Sequence, residues 1–329
     1  MKNIIRCSLL ISCLLYKTAI GQLAVTNQKD TSFNTYNEFT KLKKSYPEIS
    51  IVNEFDLKTV SRKRNITYNK LGKRKLKLDA FYPKKKTDTP MVAVIFIHGG
   101  GWRSGDRSQH YPLAQKLADL GYVCFTPEYR LSTEALFPAA VYDIKAVIRW
   151  VRKHAKKYNI DTAKIVIAGF SAGGELAAFM GVTGNMPLFE GVNCNMIMQS
   201  RVAAIIDIDG TLSFVHPESG EGDDSKKISA ATNWFGYSKQ DNLKLWEDAS
   251  PLSYVGKNTP PTLFINSSVV RMHAGREDYL KILTDNNIYS EVRTFENSPH
   301  SFCLYNPWFE PTVNYIDTFL KNVFTRKYQ

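Results

Sequence analysis

Short continuous apolar runs alternate with amphipathic segments along most of the chain. Such runs are typical of strands that are buried on both faces of a parallel sheet, and they occur at 91–97, 122–125, 164–169, 202–208 and 261–265. Helices are predicted between them, and the clearest covers residues 137–158, where apolar residues recur every three to four positions. This alternation predicts an α/β fold with a mostly parallel, doubly wound sheet that has helices on both faces.

The N-terminus follows a different pattern, which predicts a targeting segment. Lys2 and Arg6 precede an apolar run, and small residues before Gln22 offer a cleavage site, so residues 1–21 are predicted to be a signal peptide. A lipoprotein signal that would anchor the chain at Cys13 is the alternative. Either signal predicts an exported protein, periplasmic or secreted.

The rest of the chain is predicted to form one domain with two additions. Residues 22–63 are polar with scattered aromatic side chains, which indicates an N-terminal arm packed on a domain of residues 64–329. A polar stretch at about 210–258 lies between two predicted strands. We interpret this stretch as a cap insertion over the carboxyl edge of the sheet.

Composition narrows the classes of function. The chain has 329 residues and a formal charge of +12, and removal of the three basic residues of the signal peptide leaves 12 − 3 = +9. This excess of positive charge would favour binding of a polyanion, but Lys and Arg residues scattered over a solvated surface also explain it. No nucleic-acid partner is predicted. No apolar run after the signal reaches the ~20 residues that span a bilayer, so no integral membrane segment is expected there. The remaining cysteines lack the spacing of a metal site or a disulfide framework; they are Cys124, Cys194 and Cys303.

One motif places a serine at a strand-to-helix turn. Residues 169–173 read Gly-Phe-Ser-Ala-Gly, and they join a predicted buried strand to a predicted helix of small residues. Glycines are needed here because the turn is tight, and the turn lifts the hydroxyl of Ser171 off the sheet edge. The helix that follows points its free N–H groups, that of Ala172 first, at any developing oxyanion.

A glycine-rich loop and a late histidine complete the chemistry. Residues 98–102 read His-Gly-Gly-Gly-Trp and directly follow a buried strand, which indicates an oxyanion loop rather than a phosphate loop, since the Lys-Ser/Thr of a Walker motif is absent. A general base is expected after the last strand, and His300 is the histidine found there. His98 is interpreted as a structural residue of the loop.

With these motifs the chain resembles an α/β-hydrolase serine esterase, and it is most similar to the carbohydrate-esterase branch that includes acetylxylan, feruloyl and pectin acetyl esterases. The resemblance covers about residues 64–325 and is carried by 98–106, 129–140, 143–150, 169–174 and His300. It implies that Ser171 is the acyl nucleophile, that His300 is the general base, and that no cofactor or metal is needed. It also implies that the N–H groups of Gly100, Gly101 and Ala172 form the oxyanion hole.

One element of the family pattern is missing. The acid usually follows the strand that here contains Phe264 and Ile265, and a gapless placement puts Val270 where the aspartate belongs. Asp209, at the end of the preceding strand, is our first candidate for the acid, and Asp278 is the runner-up. A Ser–His dyad or another acidic residue remains open.

The sequence therefore predicts an exported serine esterase that removes acyl groups, acetyl first among them, from a plant-type polysaccharide or oligosaccharide. Trp102 and Trp308 are candidate aromatic walls of the substrate pocket. Arg271 and Arg276 are candidate ligands for the carboxylates of a pectin-like polymer, because the guanidinium fork matches a carboxylate. The alternatives are a short-chain carboxylesterase or lipase-like hydrolase, a methyl or feruloyl esterase, and a non-catalytic carbohydrate-binding relative.

Overall fold

The computed structural model describes residues 25–85, 87–184, 186–192 and 195–325. The predicted signal peptide, including Cys13, lies outside these described residues, as does Cys194. Cys124 and Cys303 are buried free thiols. In the described ranges, no helix combines the length and the apolar character that crossing a membrane requires.

A mostly parallel sheet forms the centre of the molecule. The strands are β1 (Ser50–Ile51), β2 (Val60–Leu71), β3 (Arg74–Pro83), β4 (Met91–Ile97), β5 (Val123–Pro127), β6 (Ile160–Phe170), β7 (Ala204–Ile208), β8 (Thr262–Asn266), β9 (Ser290–Thr294) and β10 (Tyr305–Asn306). The main sheet has the order β2-β3-β5-β4-β6-β7-β8-β9, and its pairings are parallel from β5 to β9 and antiparallel where β2 and β3 join. β1 and β10 form a separate antiparallel pair.

Helices fill the connections between the strands. They are α1 (Thr35–Leu42), α2 (Tyr111–Asp119), α3 (Ala139–Lys153), α4 (Ala155–Tyr158), α5 (Ala172–Val182), α6 (Pro187–Glu190), α7 (Ala230–Phe235), α8 (Leu243–Asp248), α9 (Arg276–Asp285) and α10 (Phe309–Thr325). Short 3₁₀ turns occupy Arg107–His110, Pro251–Ser253, Val270–His273 and Phe302–Leu304.

The central strands are buried on both faces because neighbouring side chains point to opposite sides of the sheet. Ile95 and Ile97 of β4 belong to one hydrophobic core, which also contains residues of α3 and α5. Val94 and Phe96 of the same strand belong to the other core, which contains residues of α2 and α10. The predicted fold class, an α/β fold with a mostly parallel sheet and helices on both faces, is therefore confirmed. The carboxyl ends of the parallel strands meet at one edge, which is where sites form in such folds.

Two segments flank the sheet and pack against this framework, although the last residues of the predicted arm, 60–63, already belong to β2. In the N-terminal arm, the N–H of Asn27 donates to the carbonyl of Thr133 at 2.7 Å. The insertion between β7 and β8 contains α7 and α8, and it buries Trp234 and Trp246 completely. The insertion thus has an aromatic interior beneath its polar surface.

Candidate active site

Ser171 lies at the tight turn between β6 and α5. Its backbone has φ 57° and ψ −122°, which is a strained conformation for a residue with a β-carbon. A β-carbon on the neighbouring Gly173 would lie 2.1 Å from the carbonyl oxygen of Ile97, so the crossing of α5 over β4 requires glycine. The N–H of Ser171 donates to the carbonyl of Ile208 at 2.9 Å, which ties the turn to the end of β7.

A continuous chain of hydrogen bonds joins Ser171, His300 and Asp209. Nε2 of His300 lies 2.8 Å from Oγ of Ser171, and Nδ1 of the same ring lies 2.8 Å from Oδ2 of Asp209. Because an ionised carboxylate can only accept, Nδ1 carries the ring proton and Nε2 is left to accept the serine proton. The structure thus brings together the predicted nucleophile, the predicted base and the first candidate for the acid.

Asp209 is completely buried directly after β7, and four donors surround its carboxylate. Oδ2 accepts from His300 and from the hydroxyl of Ser267 at 2.5 Å, while Oδ1 accepts from the N–H of Ser267 at 3.0 Å. Nδ1 of His273 lies 3.2 Å from Oδ1. Burial alone would raise the pKa of Asp209, but the hydrogen bonds from His273, His300 and Ser267 outweigh it and hold that pKa well below its usual range. Asp209 is therefore an anion.

Sequence reasoning did not identify Ser267 or His273 as hydrogen-bond partners of the acid. Both follow β8, in the segment where the family pattern places its acid. The absence of that acid indicated an altered loop, but a contact with a carboxylate from another strand leaves no local pattern in the sequence. The altered loop supplies donors to the acid instead of the acid itself.

The runner-up acid, Asp278, lies elsewhere. It stands in the first turn of α9 with 63% of its side chain exposed, and its Oδ2 lies 3.5 Å from Nε2 of His216. The Nδ1 of His300 is already occupied by Asp209. Asp278 is therefore not placed to act as the acid, which corrects its prediction as the runner-up. Its position in the first turn of α9 is explained by the favourable interaction of an acidic side chain with the helix dipole.

The glycine-rich loop after β4 lies against the serine turn. A β-carbon on Gly99 would come within 3.0 Å of the β-carbon of Ser171. Gly100 has φ 123°, and a β-carbon there would lie 2.3 Å from the carbonyl oxygen of Ser104. The hydroxyl of Ser104 donates back to the carbonyl of Gly100 at 2.9 Å, which closes the loop on itself. Only glycine fits this conformation.

Three backbone N–H groups of the loop and of α5 are free. The N–H of Gly99 is used, since it donates to Oε1 of Gln109 at 2.7 Å. In contrast, within the part of the chain that the structure describes, the N–H groups of Gly100, Gly101 and Ala172 have no acceptor. Unused donors next to the serine are what an oxyanion hole requires.

Trp102 belongs to the interior, which corrects its prediction as a pocket wall. It is 4% exposed, and its ring stacks on Trp234 at a centroid distance of 4.7 Å. Its indole N–H donates to Oε2 of Glu175 at 2.9 Å. Glu175 lies on α5, so this bond joins the oxyanion loop to the helix that follows Ser171. Burial raises the pKa of Glu175 well above its usual range, although the bond from Trp102 opposes this effect.

Two further candidates for substrate contact, Trp308 and Arg276, interact with other residues of the protein instead. Their prediction as substrate ligands is therefore corrected. Trp308 is 9% exposed and packs edge-on against Tyr46 at a centroid distance of 5.8 Å. The guanidinium of Arg276 donates to Oδ1 of Asn266 at 2.7 Å and to Oε1 of Glu277 at 2.9 Å. These contacts make Trp308 part of a hydrophobic core and use Arg276 to order the start of α9.

A cleft of about 560 Å³ opens beside the oxyanion loop. Gly100 and Gly101 line it on one side, and Ala230 lines it from the insertion. The N-terminal arm contributes Asp30, whose carboxylate accepts from Nε of Arg103 at 2.9 Å. Across residues 25–325, as far as they are described, no three His, Cys, Asp or Glu side chains form a group that could hold a metal ion.

The cleft also contains basic side chains without acidic partners. Arg271 is exposed and lines the cleft together with Lys226 and Lys227. Among the described residues, none of these three side chains has a carboxylate within 4.0 Å. By contrast, the cleft acid Glu221 accepts from the N–H of Ala231 at 2.9 Å. Arg271 is thus the one predicted substrate ligand that the structure leaves accessible.

Comparison with known proteins points to esterases. The BD-FAE family matches residues 78–271, which is more than half of the chain. Esterase LipC of Mycobacterium tuberculosis is 30% identical over 195 residues, which cover 58% of this chain and 47% of LipC. The chain thus matches about half the length of this relative.

Solved structures share the fold. A truncated carbohydrate esterase from gut microbiota superposes with a TM-score of 0.67 at 23% identity, covering 82% of this chain and 100% of that chain. The butyrate-bound esterase 2 of the planctomycete Thermogutta terrifontis gives a TM-score of 0.67 at 23% identity, with 83% of this chain and 98% of that chain covered. At this identity the likeness establishes the fold alone.

Proposed function

Because the chain belongs to the BD-FAE family, we propose that it is a serine carboxylic ester hydrolase with Ser171 as nucleophile, His300 as general base and Asp209 as the acid. One observation carries the proposal. Hydrogen bonds of 2.8 Å join Ser171 to His300 and His300 to Asp209 in the tautomer that leaves Nε2 able to accept a proton. The free N–H groups beside Ser171 support the same chemistry.

In the proposed mechanism, each of these residues acts in a defined step of ester hydrolysis. Nε2 of His300 takes the hydroxyl proton while Oγ of Ser171 bonds to the ester carbonyl carbon, and the carbonyl electrons move onto oxygen. The N–H groups of Gly100, Gly101 and Ala172 stabilise that oxyanion. When the tetrahedral intermediate collapses, the bond to the alcohol breaks and the imidazolium gives its proton to the leaving oxygen. Water then repeats the sequence on the acyl-serine and releases the carboxylic acid.

Asp209 acts on His300 rather than on the substrate. Its negative charge stabilises the imidazolium that forms in both halves of the reaction, and its hydrogen bond to Nδ1 fixes the ring. The low pKa of Asp209, which its hydrogen bonds maintain against burial, keeps it charged throughout. The acid therefore does not itself exchange a proton during turnover.

Replacement of the nucleophile tests this assignment. Ser171→Ala removes the attacking oxygen and should lower kcat for p-nitrophenyl acetate by roughly 10³-fold or more. Ser253→Ala, at an exposed serine before β8, is the matched control and should keep full activity. Retention of more than a tenth of the activity by a clean preparation of Ser171→Ala would exclude the mechanism.

We further propose that the acyl group is short, acetyl first among the candidates, and that a plant-type polysaccharide carries it. The similarity of the fold to a gut carbohydrate esterase supports a carbohydrate substrate, and the butyrate bound to the other structural neighbour supports a short acyl chain. The second candidate is a short-chain carboxylesterase for small soluble esters, which the relation to an esterase of Mycobacterium tuberculosis favours.

Product release separates these candidates. Acetate, methanol and ferulate would be measured from a panel of pectins and xylans, alongside a series of p-nitrophenyl esters of increasing chain length. Acetate release from polymers, with activity falling beyond butyrate, supports the acetyl polysaccharide proposal. A preference for octanoate, or activity on nitrophenyl esters without any release from polymers, would favour the carboxylesterase.

We also propose that the polysaccharide is acidic. Arg271, Lys226 and Lys227 line the cleft beside the oxyanion loop, and no carboxylate of the described residues lies within 4.0 Å of their cationic groups. Charge-assisted hydrogen bonds from such groups to sugar carboxylates would strengthen binding of a galacturonan over a neutral xylan. The net charge of +9 expected after signal removal would raise the association rate with any polyanion. This increase in rate becomes smaller as the salt concentration rises.

A charge-matched pair of variants tests this preference. Arg271→Gln should lower the ratio of kcat/KM on acetylated pectin to that on acetylated xylan by roughly fivefold or more at moderate salt. Lys257→Gln removes the same charge from an exposed lysine that does not line the cleft, and should leave the ratio unchanged. If both variants and the native protein gave the same ratio, the basic residues of the cleft would not select an acidic polymer.

Finally, we propose that the protein is exported. The basic and apolar pattern of residues 1–21 supports a cleaved signal, with lipid attachment at Cys13 as the alternative. N-terminal sequencing and mass measurement of protein from the exported fraction distinguish a chain that begins at Gln22 from one that begins at a lipidated Cys13. Recovery only inside the cell, with an intact N-terminus, would contradict export.

A further inference from the structure

Two histidines lie against one carboxylate in this site. Nδ1 of His300 lies 2.8 Å from Oδ2 of Asp209, and Nδ1 of His273 lies 3.2 Å from Oδ1 of the same group. His273 is 6% exposed, at the end of the 3₁₀ turn that follows β8. Since the carboxylate only accepts, Nδ1 of His273 carries a proton and donates it to Asp209.

We propose that His273 is a positioning residue that sets the basicity of His300 through Asp209. This inference rests on the proposed function, in which Asp209 stabilises the imidazolium of His300. Each donor on the carboxylate draws negative charge toward itself and leaves less to stabilise that imidazolium. The hydrogen bond from His273 would thereby limit how strongly Asp209 stabilises the imidazolium of His300.

Other charged and titratable groups surround the pair but do not hydrogen-bond to Asp209. The insertion brings Glu218, whose Oε2 accepts from the N–H of Gly275 at 3.2 Å. The remaining groups are Asp207 of β7, Arg276 of α9 and the Cys303 thiol, and burial raises the pKa values of Asp207 and Cys303 well above their usual ranges. None of these groups changes between variants at position 273, so a comparison of such variants isolates His273.

The test compares two substitutions in the full chain. His273→Leu removes the donor, whereas His273→Asn keeps an N–H donor at about the place of Nδ1. The measurement is kcat/KM for p-nitrophenyl acetate against pH. In His273→Leu the midpoint of the acid limb should rise by roughly half a pH unit or more, which is about a threefold loss of activity below the midpoint. His273→Asn should restore the native midpoint.

A purely structural role predicts a different result. If His273 only packed the loop, its loss would let Asp209 drift from His300 and would lower the midpoint, or would reduce activity equally at every pH. Either outcome overturns the proposal. If His273→Leu fails to fold, Ser267→Ala removes the donor at 2.5 Å from Oδ2 and should raise the midpoint in the same way. An unmoved midpoint in that variant would also overturn it.

Nuclear magnetic resonance separates this proposal from the proposed function. The ring signals of His300 can be titrated in the Ser171→Ala background, with and without His273→Leu, so the readout does not depend on turnover. A titration midpoint that rises on loss of His273 supports the proposal. An active Ser171→Ala variant would refute the mechanism, while an unchanged titration would refute the role of His273 alone.

Discussion

Glu175 connects the two halves of the oxyanion hole through a buried carboxyl whose pKa is raised by folding. Its carboxyl is completely buried on α5 and accepts the indole N–H of Trp102 at 2.9 Å. Burial raises the pKa of Glu175 well above the ordinary value of 4.5. Glu175 therefore keeps its proton to a higher pH in the folded protein than in the unfolded chain.

This difference gives stability a defined dependence on pH. A group whose pKa is raised by folding favours the folded state most at low pH, and this advantage is lost as pH rises toward the folded pKa. The loss is about 1.4 kcal/mol for each pH unit above the unfolded pKa. Glu175→Gln keeps an acceptor for Trp102 and does not titrate. Its stability relative to the native protein should therefore increase from pH 5 to pH 7, by at most about 1.4 kcal/mol for each pH unit.

Urea unfolding at the two pH values measures this change, and kinetics measure its effect on the site. Glu175→Gln should keep kcat within about twofold because the bond to Trp102 persists. Glu175→Leu leaves the indole N–H without an acceptor, which should cost about 1–3 kcal/mol of stability. It should also lower kcat roughly tenfold or more, because the loop that carries Gly100 and Gly101 loses its connection to α5.

Two results would refute this reasoning. If the stability difference between Glu175→Gln and the native protein were the same at pH 5 and pH 7, folding would not raise the pKa of Glu175. If Glu175→Leu folded and kept its kcat, the bond to Trp102 would not position the oxyanion loop. A third variant, Trp102→Phe, keeps a stacked ring but removes the indole N–H donor, and it should lower kcat as Glu175→Leu does.

Three further predictions follow from the contacts of the site. Asp209→Asn should lower kcat/KM roughly 10³-fold or more, whereas Asp278→Asn should stay within about twofold; equal effects would restore Asp278 as a candidate. Gly100→Ala should lower kcat roughly 100-fold or more because its β-carbon would meet backbone at 2.3 Å, and a normal kcat would remove this loop from the mechanism. Asp30→Asn removes a carboxylate from the cleft and weakens the 2.9 Å pair with Arg103, so it should lower KM for acetylated pectin while leaving KM for p-nitrophenyl acetate unchanged; an unchanged KM for pectin would contradict binding of an acidic polymer in this cleft.

The fold could be predicted because its signals are local. Buried parallel strands leave continuous apolar runs such as 91–97, and the turn at Ser171 requires glycines within a few residues of the serine. Asp209 could be proposed as the acid only from its place at the end of a strand, since its contact with His300 spans 91 residues of sequence. The structure supplied the distance that the sequence could not.

Side-chain exposure was the property that sequence reasoning predicted least well. Trp102 and Trp308 were predicted as pocket walls, but both are buried against other aromatic rings. Arg276 was predicted to face substrate, but Asn266 and its neighbour Glu277 occupy its donors. Aromatic and arginine side chains next to a motif look alike whether they face the cleft or the core, because long-range packing decides between the two.

The backbone around the carboxyl edge has a consequence for heat resistance. Trp102, Ser171 and Asp209 all have positive φ, at 54°, 57° and 55°, although none is a glycine. Residues held in such conformations cost of order 1–3 kcal/mol each, so the edge that carries the chemistry also contains strained backbone. A Ser171→Gly variant would be expected to melt at a higher temperature than the active protein while losing its activity. Attempts to make a more heat-tolerant and still active form would therefore do better to change residues away from this edge.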